Sequence, residues 1–207
     1  MWQWGRREVK GMKNLKRIGL AVLICSVLAA CTSGGTGNAT VTQNTSVTIG
    51  MPGGTELIKD YPNFEVKSES IKNGAWNKVI SNTDKGSNKS PQLSWEPVEG
   101  ADSYMIYMVD TSVEYWMHWK SENVKECNLP EGWAPETEYI GPYPPAGGSH
   151  NYEIYVIAVK KPVERMKGGF NSSNGKFASF ITALDTDAEG NEGNIISCGH
   201  ISATFTN

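Results

Sequence analysis

The stretch Tyr152-Glu-Ile-Tyr-Val-Ile-Ala-Val159 constrains the fold most: eight residues, one charge, rich in β-branched and aromatic side chains. Such a run fits a long strand covered on both faces. Tyr104-Met-Ile-Tyr-Met-Val109 is a second, almost unbroken apolar run and reads as a central strand. Shorter strands are expected at residues 64–68, which alternate, at 92–95, at 117–119, and at 195–196 and 201–205 near the end. Residues 176–184 carry apolar side chains at helical spacing. Turn clusters at 82–90, 141–149 and 168–175 separate these pieces. There is no internal repeat. The expectation is a mainly β domain with little helix.

The N-terminus has a different character. Lys13, Lys16 and Arg17 precede an apolar run of thirteen residues, 18–30. A transmembrane helix needs about twenty such residues; thirteen suits the hydrophobic region of a secretory signal. Leu28-Ala29-Ala30-Cys31 follows at once and resembles the bacterial lipobox, in which small residues admit the peptidase and the cysteine thiol accepts lipid. Residues 1–30 are therefore expected to be a signal peptide and Cys31 a lipidation site. The protein would be an extracytoplasmic bacterial lipoprotein, anchored to the membrane. Met12-Lys-Asn-Leu-Lys-Arg17 is a more ordinary signal start than Met1, so residues 1–11 read as a mis-assigned start. Residues 31–55 are rich in Gly, Thr, Ser and Asn, with no charge between Thr32 and Gly54, and are expected to be a flexible tether. The folded domain is assigned to 56–207. The sequons at Asn38, Asn44 and Asn171 carry no meaning for a bacterial lipoprotein.

Charge excludes several functions. The whole chain has a net charge of -3, but residues 1–30 hold six basic residues against one acidic. The remainder holds thirteen against twenty-one, a net of -8. An acidic domain of this kind does not suit nucleic acid or polybasic attachment to anionic lipid. Three histidines and no Cys-x-x-Cys pair exclude a zinc-finger framework. The acidic loop beginning Asp185-Thr-Asp187 mimics a calcium loop, but its twelfth position is Ile196, where a bidentate Glu is required. No metal and no cofactor are expected. Cys127 and Cys198 are the two thiols left beyond the signal and anchor, and outside the cytoplasm a disulfide between them is permitted.

Four stretches carry a resemblance: Phe64-x3-Ser68 with Ile71 and Gly74; Ser90-Pro-Gln-Leu-Ser-Trp95; Asp110 followed by Trp116-Met-His118-Trp119; and Gly141-Pro142-Tyr-Pro-Pro-Ala-Gly147-Gly148-Ser-His150-Asn-Tyr152. In this order they resemble the phosphatidylethanolamine-binding protein family, in particular its bacterial Raf kinase inhibitor-like branch. The resemblance covers about residues 61–207. It implies a large antiparallel sheet packed with a smaller sheet and one or two short peripheral helices. It also implies a pocket at one end of the sheet for phosphate-like anions or phospholipid head groups. The ligand-binding candidates are Asp110, His118, Gly141, Pro142, Gly147, Gly148, His150 and Tyr152. Gly147 and Gly148 are expected to converge their N–H groups on an anion. Tyr115, Trp116, Trp119 and Tyr152 are candidate apolar walls, with Trp116 and Trp119 read as packing first. A cis bond at Pro144-Pro145 is allowed, and His200 reads as structural. Two departures weaken any transfer of ligand identity. Thr111-Ser112 stand where the family has Pro-Asp, and Asn151 stands where it has Arg.

A competing pattern exists. Leu93-Ser-Trp-Glu-Pro-Val-Glu-Gly-Ala-Asp-Ser-Tyr104 looks like a fibronectin type III strand pair, which would make the chain an adhesion-type β-sandwich. That reading leaves residues 61–90, His118 and residues 141–150 without a role. Three functions are in view: a binding protein for a small anionic or phosphorylated ligand, a module whose pocket rim engages a protein or inhibits a protease, and a hydrolase. There is no Gly-x-Ser-x-Gly elbow and no Cys beside a His motif, so an enzyme is not expected.

Overall fold

The computed structural model describes residues 53–207. The expected signal peptide, the lipidation site Cys31, the alternative start at Met12, the sequons at Asn38 and Asn44 and most of the tether lie outside the described residues. Residues 53–55, assigned above to the tether, are the edge of the fold, because a 3-10 helix already spans Gly54–Ile58 and buries Ile58.

The strands are β1 (Asn63–Lys67), β2 (Ile71–Lys72), β3 (Ala75–Trp76), β4 (Leu93–Trp95), β5 (Ser103–Asp110), β6 (Trp116–Val124), β7 (Asn128–Leu129), β8 (Ser149–Val159) and β9 (Ile195–Thr206). They follow the order β6-β5-β8-β9-β1-β4-β7, with β3 joining β9 and pairing with β2. The β6-β5-β8-β9 portion is antiparallel, whereas β9 pairs in parallel with both β1 and β3. Val66, Leu93, Trp95 and Leu129 of the β1-β4-β7 portion share one core with Tyr104, Ile106 and Met108 of β5. The small sheet therefore folds over one face of the large one, and the fold is mainly β as expected.

Every residue of β5 is buried. Its alternate side chains Met105, Tyr107 and Val109 enter a second core on the other face. The helix α1 (Phe177–Ala183) covers that face. At seven residues it is too short to persist in isolation. Phe177, Ile181 and Leu184 recur at helical spacing and are all buried there. The Phe177 ring meets Tyr107 at 5.3 Å and Tyr155 at 5.4 Å. Each such side chain contributes about 1.5–3 kcal/mol when buried.

One expectation changes and two open alternatives close. The two closing strands are one strand of twelve residues, β9. Gly199 interrupts its apolar pattern because side chains of the paired strand β1 lie over it, and a Cβ would run into Val66 and Phe64. Cys127 and Cys198 are both free. Cys127 packs against the first core and Cys198 within the second, so the sheet stands between them. Burial pushes the Cys198 thiol up to about 12. The fibronectin type III arrangement is not adopted. That sandwich is antiparallel, whereas here residues 63–76 supply the strands that pair in parallel with β9.

Candidate functional site

Three neighbouring strands reach the same end of the sheet. Asp110 at the end of β5 lies opposite Trp116, the first residue of β6, and opposite Tyr152 of β8. Strand alternation then puts His150 on the same face as Tyr152. The loop 141–148 returns over this end. Gly141 presses so close to the Ile80 carbonyl that a Cβ would run into it. Its N–H donates to Asn88 Oδ1 at 2.7 Å, and the Pro142 carbonyl accepts from the Asn82 N–H at 2.9 Å. These contacts clamp the loop so that Tyr143-Pro144-Pro145 cover the strand ends.

The result is a pocket of about 400 Å³. Asp110, His118, His150 and Tyr152 supply its polar part, and Val113, Trp116, Tyr143, Pro144 and Pro145 its apolar walls. Asp110 is buried. Its Oδ1 accepts the Ser112 N–H at 2.8 Å, and its Oδ2 lies 2.6 Å from His150 Nδ1. His150 Nδ1 therefore donates to the carboxylate, leaving Nε2 as the nitrogen open to a ligand. Burial, and after it the nearby Asp110 carboxylate, push the Tyr152 pKa well above the usual phenol range. His118 Nδ1 donates to the Ile140 carbonyl at 2.8 Å. Burial pushes this imidazole below its ordinary range, against the pull of the Ile140 carbonyl and Asp110. Neutral His118 offers an Nε2 lone pair to the pocket.

Of the predicted residues, Asp110, His118, His150 and Tyr152 meet in the pocket. Gly141 and Pro142 shape it from behind. The expected convergence of glycine N–H groups is not found. The Gly147 N–H donates to the Asn207 carbonyl at 3.0 Å and that of Gly148 to the Pro145 carbonyl at 2.8 Å. Both donors are consumed closing the turn onto the C-terminus. Trp116 lines the pocket, contrary to its reading as packing, while Trp119 is buried against Tyr139 and Trp133. Tyr115 is not a wall; it packs against Phe177 at 5.3 Å in the second core. No peptide bond among the described residues is cis. Tyr143 and Val113 were missed, although Tyr143 sits inside the recognised loop. Asn171 was missed too: its Oδ1 accepts from Trp116 Nε1 at 3.1 Å and from the Tyr143 hydroxyl at 2.8 Å. Nothing in the glycine- and serine-rich loop around it signals that role.

The departures from the family pattern have local explanations. Ser112 caps the Asp110 turn and its Oγ accepts the Asn151 N–H at 3.0 Å. Asn151 alternates away from His150 and Tyr152, to the far face of β8. There its Nδ2 donates to Thr111 Oγ1 at 3.1 Å and to Glu153 Oε1 at 2.8 Å. An asparagine at position 151 therefore removes no charge from the pocket lining.

Glu153 centres a second polar cluster on that far face. Its Oε2 accepts from the Tyr155 hydroxyl at 2.6 Å and the Gly54 N–H at 2.6 Å, and lies 3.2 Å from His200 Nε2. Burial raises its pKa, but the bonds from His200, Tyr155 and Gly54 outweigh it and hold the carboxyl at about 2. His200 thus has the structural role expected of it, with a partner the sequence did not reveal.

Comparison with known proteins agrees with this architecture. Two solved structures share the fold. E. coli YbcL, described as a member of the mammalian PEBP family, matches with a TM-score of 0.51 and 22% identity, over 70% of this chain and 98% of its own. The phosphatidylethanolamine-binding protein homolog CT736 from Chlamydia trachomatis matches with a TM-score of 0.50 and 20% identity, over 70% and 98%. No curated protein matches the chain. The family model for phosphatidylethanolamine-binding protein matches residues 67–193, from the end of β1 to just before β9, with the pocket strands between them. The chain belongs to the phosphatidylethanolamine-binding protein family.

Proposed function

We propose that this is a non-catalytic binding protein, held by lipid at Cys31 on the outer side of a bacterial cytoplasmic or outer membrane, whose pocket takes a small ligand bearing a phosphate or carboxylate group. The observation that carries this reading is the meeting of His150, His118, Tyr152 and Asp110 in one apolar-walled pocket. Asp110 holds His150 through Nδ1 and leaves Nε2 for the ligand, and a charge-assisted bond in an apolar-walled pocket is strong. A binding role is supported by the lining, which holds an acid–base pair but no serine, threonine, cysteine or lysine to form a covalent intermediate. Titration calorimetry with phosphate, acetate and phosphoethanolamine tests the pocket. Wild type is expected to bind at least one of them and His150→Gln to lose about tenfold or more; no binding by wild type would end the reading. Palmitate labelling tests the anchor, and equal labelling of wild type and Cys31→Ala would end that part.

A second reading has one observation in its favour. The large exposed hydrophobics among the described residues, Val113 and Tyr143, both stand at the pocket. A protein partner gripping this rim, as a protease inhibitor would, accounts for them. Capture of a partner that survives His150→Gln but fails with Val113→Ser would favour it.

A further inference from the structure

The pocket carries a second feature that the small-acid reading leaves unused. Its lining contains no lysine or arginine. It consists largely of rings that stand nearly upright to one another. Trp116 and Tyr143 meet at 6.5 Å and 88°, Tyr143 and His118 at 5.5 Å and 61°, and His118 and Tyr152 at 5.1 Å and 79°. Perpendicular neighbours form a corner, and all four rings line the pocket.

The corner at the mouth is built rather than incidental. One atom, Asn171 Oδ1, accepts from both Trp116 Nε1 and the Tyr143 hydroxyl, which fixes the plane of each ring. Asn171 is itself registered to β6, its N–H donating to the Met117 carbonyl at 2.9 Å. It holds a left-handed φ of 52°, which asparagine tolerates better than most residues. A specific residue in a specific conformation thus keeps two aromatic faces in place.

Ring faces are electronegative and attract cations without needing hydrogen-bond donors. A primary ammonium brings three N–H groups that require acceptors. Asp110, the carboxylate of the lining, already accepts from the Ser112 N–H at Oδ1 and from His150 at Oδ2. A methylated ammonium has no such requirement and is satisfied by ring faces alone. We propose that the corner of Trp116 and Tyr143, backed by His118 and Tyr152, is a subsite for a quaternary methylammonium group. The ligand is then a zwitterion, its acid at His150 and its methylated cation at the mouth, so the subsite rests on the small-acid reading of the same pocket. A pocket of about 400 Å³ has room for both groups.

The test compares phosphocholine with phosphoethanolamine, which differ in the three methyl groups, and adds tetramethylammonium and inorganic phosphate as separate halves. Calorimetry on the tethered chain lacking its lipid is expected to show phosphocholine binding about tenfold tighter than phosphoethanolamine. Tetramethylammonium alone is expected to perturb tryptophan fluorescence. In Trp116→Leu the phosphocholine preference should collapse toward one, while Trp116→Phe should restore most of it. Asn171→Ala should reduce it by freeing the rings. Equal affinity for the two head groups, or a preference that persists in Trp116→Leu, overturns the proposal. Phosphate binding without that preference leaves the small-acid reading standing and this one refuted. Failure of all four probes refutes both.

Discussion

Two carboxylate–imidazole pairs flank β8, and their chemistry is nearly the same. Asp110 and His150 lie 2.6 Å apart on the pocket side; Glu153 and His200 lie 3.2 Å apart on the other. What separates them is the cover. Gly53 and Gly54 close over Glu153 so tightly that a Cβ on Gly53 would strike its carboxylate, and the Gly54 N–H completes its hydrogen bonds. The Asp110–His150 pair opens onto a cavity, with His150 partly exposed. A saturated pair pins the chain; an open one offers Nε2 to a ligand. Pair identity says little about function until the roof is known. Asn151 connects the two, one amide donating to Thr111 in the Asp110 turn and to Glu153.

The sharpest way to break this contrast is to remove each carboxylate. Glu153→Ala strands the Tyr155 hydroxyl, the Gly54 N–H and His200, and should cost about 3–5 kcal/mol in urea denaturation. Asp110→Asn should cost only about 1–2 kcal/mol, because water in the pocket satisfies His150, while ligand binding falls severely. Equal stability losses would erase the distinction. Acid provides the next test. Glu153 titrates at about 2 in the fold against an ordinary 4.5. A depressed carboxyl stabilises above its unfolded value and loses that contribution as pH falls. The stability gap between wild type and Glu153→Gln should therefore be full at pH 6 and shrink between about 4.5 and 2. A constant gap would show that charge at Glu153 contributes nothing.

Smaller effects concern the bridge and His118. Asn151→Ala should cost about 1 kcal/mol, and a double-mutant cycle with Glu153→Gln should be non-additive. Strict additivity would mean that the two sites are not joined through this amide. His118 is pushed below the ordinary imidazole value of 6.5 by burial. The unfolded chain then takes up its proton first, so stability falls as pH drops below about 6.5. His118→Gln should flatten that part of the profile in a thermal-denaturation series; an unaltered slope would assign it to another group.

Much of the fold was legible because strands declare themselves locally. Tyr104–Val109 and Tyr152–Val159 are apolar at nearly every position, and both are buried on both faces. The helix was legible from the spacing of Phe177, Ile181 and Leu184. At the site, His118 and His150 stood out because each lies in a motif that resembles the family's, the Gly-Pro-rich loop before His150 being the more specific. The glycines misled. Gly147 and Gly148 looked like an anion cradle, yet their N–H groups go to the Asn207 and Pro145 carbonyls. Gly199 lies inside β9, where a Cβ would strike the Val66 and Phe64 side chains of β1. A glycine shows where backbone comes close; what it meets depends on residues far away in the chain.

The same division runs through the whole molecule. Residue order alone determined which segments are strands and which side chains along each strand share a face, because periodicity is enough for that. That Asp110, His118, His150 and Tyr152 belong together was implied by the resemblance of their motifs to the family. Only the tertiary structure decided that Asn171 pins Trp116 and Tyr143, that Glu153 is closed by Gly54, and that Cys127 and Cys198 stay apart. Those depend on contacts between distant segments, where a hydrogen bond goes to whichever partner the packed chain brings within about 3 Å.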